Sequence, residues 1–145
     1  MNNNDNRHIG YLISLIKKEL DIRKNNDIKE FNITHTQVHI IMFMVHNQDK
    51  KIFQKDIEHE LLVSAATASG LLDRLESNGF IKRTPLENDS RYKYITLLPK
   101  AYELQEVIIS KCKINEEKII QGFSREEKDN LVLYLERILK NIKEN

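Results

Sequence analysis

The chain lacks a second cysteine, a long apolar run and any marked excess of charge, and each absence narrows what it can be. Cys112 stands alone, so no intrachain disulfide can form and nothing points to an oxidising compartment. No apolar stretch approaches the roughly 20 residues that a bilayer-spanning helix needs, and 31% of the residues are charged. The opening MNNNDNRH is polar and carries no signal-peptide pattern. The cytoplasm is therefore the expected compartment, with no membrane partner. There is no Gly-rich phosphate loop, no nucleophile motif and no paired acid and base at a defined turn, so an enzyme is the least supported class. No cofactor or metal is expected. Neither an internal repeat nor a low-complexity linker breaks the chain.

The charge balance is close to neutral: 23 Lys and Arg against 22 Asp and Glu leave a net of +1. That sum argues neither for nor against a polyanionic partner, because phosphate contact depends on the face presented and not on the total. Between Lys82 and Lys93 the balance is locally positive, with Lys82, Arg83, Arg91 and Lys93 against Glu87 and Asp89.

What is present is 145 residues with 40% hydrophobic content, enough for one protomer with a core. The most readable stretch runs from Phe53 to Leu97. Ser64 can cap a helix whose Ala68, Leu71, Leu72 and Leu75 recur at spacings of three and four. Gly79 as the left-handed residue after this helix would make Phe80 and Leu75 the contact pair of a Schellman closure, which predicts a helix over 65–78. Ahead of it, Ile57, Leu61 and Leu62 have helical spacing over 54–61, and only Leu62 and Val63 remain for a turn. Two short amphipathic helices so tightly linked read as a helix-turn-helix. Behind it, Ile81, Arg83, Lys93, Ile95 and Leu97 alternate like hairpin strands around the turn-forming tip Glu87-Asn88-Asp89-Ser90-Arg91.

The flanks read as helices. Residues 1 to 6 are expected to be a disordered lead. From Ile9, the residues Leu12, Ile13, Ile16 and Leu20 trace a stripe, yet Tyr11, Leu15 and Ile22 are apolar as well, so the face needs more than one partner surface. Asn25-Asn26-Asp27 is expected to interrupt or end this helix before Phe31. Thr34-His35-Thr36-Gln37 has the spacing of a capping box ahead of a buried helix to about His46. Ile52 and Phe53 suit a short strand beside the hairpin. After it, Leu104, Val107, Ile108, Cys112, Ile119 and Ile120 line a helix ending near Gly122. Ser124-Arg125-Glu126-Glu127 caps a last helix bearing Leu131, Tyr134, Leu135, Ile138, Leu139 and Ile142. Phe53 and Leu98 stand at helix starts where neither side chain can accept a backbone N–H, a loss of about 1 kcal/mol each.

The Asp89, Arg91, Lys93 signature, followed by Tyr94-Ile95-Thr96-Leu97 and the helix start Pro99-Lys100-Ala101, resembles the wing of the MarR (multiple-antibiotic-resistance regulator) family of bacterial transcription factors. Leu72-Asp73-Arg74-Leu75-Glu76 and Asn78-Gly79-Phe80-Ile81 extend the likeness, and the helix layout carries it over nearly the whole chain. The resemblance implies a mainly α fold with a small β-wing. Residues 34–98 would form the winged helix-turn-helix, and 7–31 with 100–145 the dimerisation helices of one protomer over 1–145. It also implies a homodimer on a pseudo-palindromic double-stranded DNA operator, most often as a repressor. Two reading helices would then sit about 34 Å apart. A second reading is a winged-helix module that binds another regulator instead of DNA, favoured by the near-neutral charge and by Gly70, where relatives often carry a larger polar or basic side chain.

In the DNA-binding reading the helix after Ser64 enters the major groove. There Thr67 and Ser69 meet base edges, and the methyls of Ala65, Ala66 and Thr67 pack on thymine methyls. Arg91 enters the minor groove from the hairpin tip, and Asp89 holds the wing by pairing with Arg91 or with Arg74. Gln54, Lys55 and Lys93, with Lys82 and Arg83, meet phosphates. The bland reading makes Thr67 and Ser69 solvated helix residues and the Asp89–Arg91 pair an ordinary surface turn.

Sensing signals are weak. His35 and His39 are spaced for one side of a metal ion, but no histidine follows His59 to complete the ligand set of metal-sensing relatives. Cys112 lies on an apolar stripe and reads as a small core residue, while peroxide-sensing relatives carry their cysteine in the first helix. Family members often bind small aromatic or phenolic effectors, for which Tyr11, Leu15, His39 and Phe43 form the candidate wall, although all four serve equally well in a core.

Overall fold

The computed structural model describes residues 8–144, so the expectation for residues 1 to 6 lies outside the described residues. The order is α1 (Ile9–Ile28), a 3₁₀ turn (Lys29–Phe31), α2 (His35–His46), β1 (Ile52–Phe53), α3 (Gln54–Leu61), α4 (Ala65–Ser77), β2 (Ile81–Pro85), β3 (Lys93–Leu97), α5 (Pro99–Ile119) and α6 (Arg125–Lys143). The expected mainly α fold with a small wing is what forms. Its antiparallel sheet has the order β1-β3-β2, with Ile81 opposite Leu97 and Ile52 opposite Ile95.

Two compact units meet in sequence between Ile108 and Ile109. In the first, Ile40 and Ile41 of α2, Ile57 of α3, Leu72 and Leu75 of α4, Phe80, and Leu104 of α5 have no measurable exposure. Burying each such side chain is worth about 1.5–3 kcal/mol relative to leaving it in water, so these elements hold one another in place. The capping predicted for α2 is present: Thr34 Oγ1 accepts from Gln37 N–H at 3.3 Å and Gln37 Oε1 accepts from Thr34 N–H at 2.9 Å. Phe53 offers no side-chain acceptor, yet its N–H donates to Asp56 Oδ2 at 2.8 Å, which keeps half of a box at the start of α3. At Leu98 the backbone compensates: its N–H donates to the Phe80 carbonyl and its carbonyl accepts from Ala101 N–H, both at 2.9 Å.

The end expected at Asn25-Asn26-Asp27, before Phe31, falls at the next residue. The helix continues to Ile28, only 5% exposed, and Phe31 then packs tilted against Phe80 at 6.4 Å. Burial of these side chains outweighs the modest helix propensity of asparagine. The 3₁₀ turn that follows ends at Asn32 in the left-handed region.

The second unit contains the rest of α5 and all of α6. Gly122 turns the chain at φ 88, and Ser124 and Glu127 complete the predicted capping box at 3.2 and 2.7 Å. No residue of α6 is buried, and Leu133, Tyr134, Leu139 and Ile142 are all more than half exposed. Cys112 also departs from the core role expected of it. It is exposed, because among the described residues of α5 burial stops at Ala101 and Leu104. None of the described helices is long and apolar enough to cross a membrane.

A residue with positive φ follows each helix of the helix-turn-helix. Gly79 at φ 77 ends α4 as predicted, with Phe80 N–H on the Leu75 carbonyl at 2.9 Å and Gly79 N–H on the Glu76 carbonyl at 3.0 Å. Leu62 at φ 53 ends α3 while 91% exposed, so a leucine holds a strained backbone with no packing in return. Substitutions at the two sites should move stability in opposite directions. Gly79→Ala should lower it by about 1–2 kcal/mol, while Leu62→Gly should raise it by about 0.5–1 kcal/mol, the strain relief being partly offset by unfolded-state entropy. Urea unfolding of both variants checks the signs.

Candidate nucleic-acid interface

The apolar stripe of α4 turns the opposite side outward. Ala68, Leu72 and Leu75 are buried, and Ala65, Ala66, Thr67, Gly70, Asp73, Arg74 and Ser77 are exposed, with Ser69 half-buried at the flank. Ser64 acts as the cap: its Oγ accepts from Thr67 N–H at 3.2 Å and lies 3.0 Å from Thr67 Oγ1. Thr67, one of the two hydroxyls expected at base edges, is thus engaged with the cap. The first turns of α4 offer methyls and one glycine, a surface suited to close approach rather than to charged contact.

Gln54, expected at a phosphate, makes contacts within the protein. Its Nε2 donates to the Ala65 carbonyl at 3.2 Å and to Glu58 Oε1 at 3.1 Å, which ties the first turn of α3 to the first turn of α4. Lys55, next to it, is exposed.

The wing is held by two sets of charges. At its base, Arg83 of β2 reaches back to α4: Nε donates to Glu76 Oε2 at 2.7 Å, Nη2 to Asp73 Oδ1 at 2.5 Å, and the backbone N–H to Glu76 Oε1 at 3.2 Å. Arg83 is therefore a structural clamp and not the exposed phosphate contact that its place in a basic run suggested. Nothing local distinguished it, since its partners lie seven and ten residues away. The hydrogen bonds from the Arg83 backbone and side chain hold the Glu76 carboxyl below its ordinary value, with Lys93 adding to the effect through space.

At the tip, Asp89 settles on Arg91 as its partner. Asp89 accepts from Arg91 Nε at 2.9 Å, Nη2 at 2.8 Å and the backbone N–H at 3.1 Å. The guanidinium lowers the Asp89 pKa, and the carboxylate raises that of Arg91. The Arg91 side chain nevertheless remains 84% exposed. Its direction is set while its charge faces outward. Arg74 is exposed on α4.

Gln54, Lys55, Arg91 and Lys93, predicted separately, share one cleft of about 400 Å³ between α3 and the wing. The sequence reading missed Tyr92, which lines the same cleft; its place between Arg91 and Lys93 was the available signal. The other candidates lie elsewhere. Tyr11 and Leu15 are exposed on α1, Phe43 of α2 is half-buried, and His39 Nε2 is 2.8 Å from Glu60 Oε1 of α3. Among the described residues no three of His, Cys, Asp and Glu converge to hold a metal ion.

The chain is similar to known proteins. The model of the MarR family matches residues 33–93. The HTH-type transcriptional regulator YybA of Bacillus subtilis is 26% identical over 130 residues, which span 90% of this chain and 85% of that one. PecS of Dickeya dadantii, also an HTH-type transcriptional regulator, is 33% identical over 94 residues, 65% of this chain and 57% of its own. Among solved structures, a complex of Staphylococcus aureus MepR with DNA matches with a TM-score of 0.80 at 27% identity, over 92% of this chain and 98% of that one. These proteins are regulators, not enzymes.

The clamp has a pH signature. Glu76 has a folded-state pKa below the ordinary glutamate value of 4.5, so the unfolded chain binds more protons there. The contribution is complete above that value and fades as pH falls through the lowered one. Chemical denaturation between pH 6 and pH 3 should show stability falling less steeply with acid in Glu76→Gln than in the parent; parallel curves would remove Glu76 from the acid response.

Proposed function

Because this chain belongs to the MarR family of transcriptional regulators, we propose that it binds a pseudo-palindromic double-stranded DNA operator as a homodimer and acts there as a repressor. The observation that carries this reading is Arg91. A guanidinium at a hairpin tip, steered by Asp89 and left 84% exposed, suits the narrow minor groove, where negative potential is deepest. The α4 surface follows into the adjacent major groove. Ala65, Ala66 and Thr67 supply methyl contacts, Ser64 and Ser69 stand at the groove edge, and Arg74 lies farther along the helix. Lys55 and Lys93 approach phosphates, and Gln54 holds the two helices in register.

Dimerisation is supported separately by two helices. α1 leaves Ile9, Tyr11 and Ile16 more than half exposed, and α6 does the same with Leu133, Tyr134, Leu139 and Ile142. Apolar surface of that extent marks an interaction site rather than a solvated face, and a second copy supplies a matching surface. The same burial would cover Cys112. A small aromatic or phenolic effector seated against Tyr11, Leu15, His39 and Phe43 would shift the spacing of the two reading heads and release the operator. The competing reading, a winged helix that binds another regulator, draws on the net charge of +1 and on the loss of Arg83 to the clamp.

A gel shift against the DNA upstream of the protein's own gene, with excess unrelated competitor, separates the two readings. Retention is expected, and binding should weaken steeply with added salt as counterions cease to be released favourably. Arg91→Ala should lower affinity about tenfold at fixed salt with an unchanged circular dichroism spectrum. An unaltered affinity would take the wing out of the mechanism. Sedimentation at micromolar concentration should give a dimer; a stable monomer would contradict the paired heads.

A further inference from the structure

The cleft between α3 and the wing has the chemistry of a particular ligand. Its apolar side is formed by Phe53 and the nearly buried Ile95, and Lys55 and Lys93 approach it from its two walls, one on each. The remaining charges are already engaged: Arg83 by Asp73 and Glu76, Arg91 by Asp89, and Glu58 as the acceptor of Gln54 Nε2 at 3.1 Å. Lys55 and Lys93 form no salt bridge among the described residues, and Lys93 reaches Glu76 only through space. Lys55 of α3 and Lys93 of β3 line the same cleft as Phe53 and Ile95, and an anion with an apolar body would satisfy both. Tyr92, 58% exposed, adds a phenol at the same place.

We propose that this cleft seats one sugar–phosphate unit of the duplex backbone. The phosphate lies between Lys55 and Lys93, the deoxyribose rests on Phe53, and the Tyr92 hydroxyl donates to a phosphate oxygen. The proposal rests on the DNA-binding reading and deepens it. A base would bring no charge for the lysines, and a free phosphate would leave the apolar side uncovered. One phosphate gripped from α3 and from the wing together sets their separation on DNA. Major-groove and minor-groove contacts are thereby placed in register by a contact that reads no sequence.

The test uses the full chain and a duplex enriched from a random pool by repeated selection on it. Single neutral methylphosphonate linkages are then placed at each backbone position in turn. One position per half-site should weaken binding of the parent about tenfold, and the same linkage should have little further effect on the Lys55→Ala, Lys93→Ala double variant. Tyr92→Phe should weaken binding about threefold, the loss of one hydrogen bond, with the salt dependence unchanged. Each lysine variant should instead reduce the salt slope by about one.

Failure of any linkage to couple to both lysines, or parent-like binding by Tyr92→Phe, would overturn the proposal and leave DNA binding standing. Saturation of the cleft by inorganic phosphate alone, followed by nuclear magnetic resonance at Tyr92, would overturn it in favour of a small-anion site. Absence of enrichment for any duplex would overturn it together with the DNA-binding reading.

Discussion

The structure depends on the burial of one short turn, Gly79-Phe80. Gly79 takes the left-handed conformation that ends α4, Phe80 enters the core with no measurable exposure, and β2 begins at the next residue. The Phe80 ring also meets Phe31 at 6.4 Å and carries the Lys100 ammonium 4.6 Å from its centre, and its carbonyl receives the Leu98 N–H at the threshold of α5. The reading helix, the wing and the helix that leaves the wing are therefore positioned against one side chain. Loss of such a buried aromatic side chain typically costs about 3–5 kcal/mol, more than any surface contact described here can return.

On that hydrophobic base, charge makes the finer adjustment. Three carboxylates near a surface meant for a polyanion would look misplaced, yet each has an arginine: Asp73 and Glu76 share Arg83, and Asp89 holds Arg91. An isolated exposed pair contributes little to stability. Geometry is the more useful product, since the forked guanidinium fixes direction as well as distance. The base of the wing is locked to α4, and its tip points a charge outward. A protein with a net charge of +1 can in this way present a locally positive face, because its acids are turned to structural work beside that face.

Much of this was legible before any coordinates. The caps at Thr34, Ser64 and Ser124 and the closure at Gly79 each depend on residues within about five positions of one another, and the side chains that decide them are explicit. The candidate interface was half legible. Arg91, Asp89 and Lys93 were identified by place in a pattern, whereas Gln54, Lys55 and Arg83 were assigned to phosphates from charge and polarity, and of these Gln54 and Arg83 take partners within the protein. Tyr92 passed unnoticed because an aromatic residue just before a hairpin strand is ordinary on local grounds. At Asn25-Asn26-Asp27 local propensity argued for an end before Phe31, and α1 stops one residue past Asp27, at Ile28, which the core holds.

The sequence by itself determined where helices and strands begin and end and which face of α4 turns inward, because capping geometry and the 3.6-residue period act between near neighbours. Only the tertiary structure decided which partner each polar side chain takes. Arg83 could have met a phosphate, and Asp89 could have met Arg74; the choice rests on distances that exist only once β2 and β3 are laid against α4 by the burial of Phe80 and Ile81. Side-chain partnership is a property of packing, and packing joins residues that the chain keeps apart.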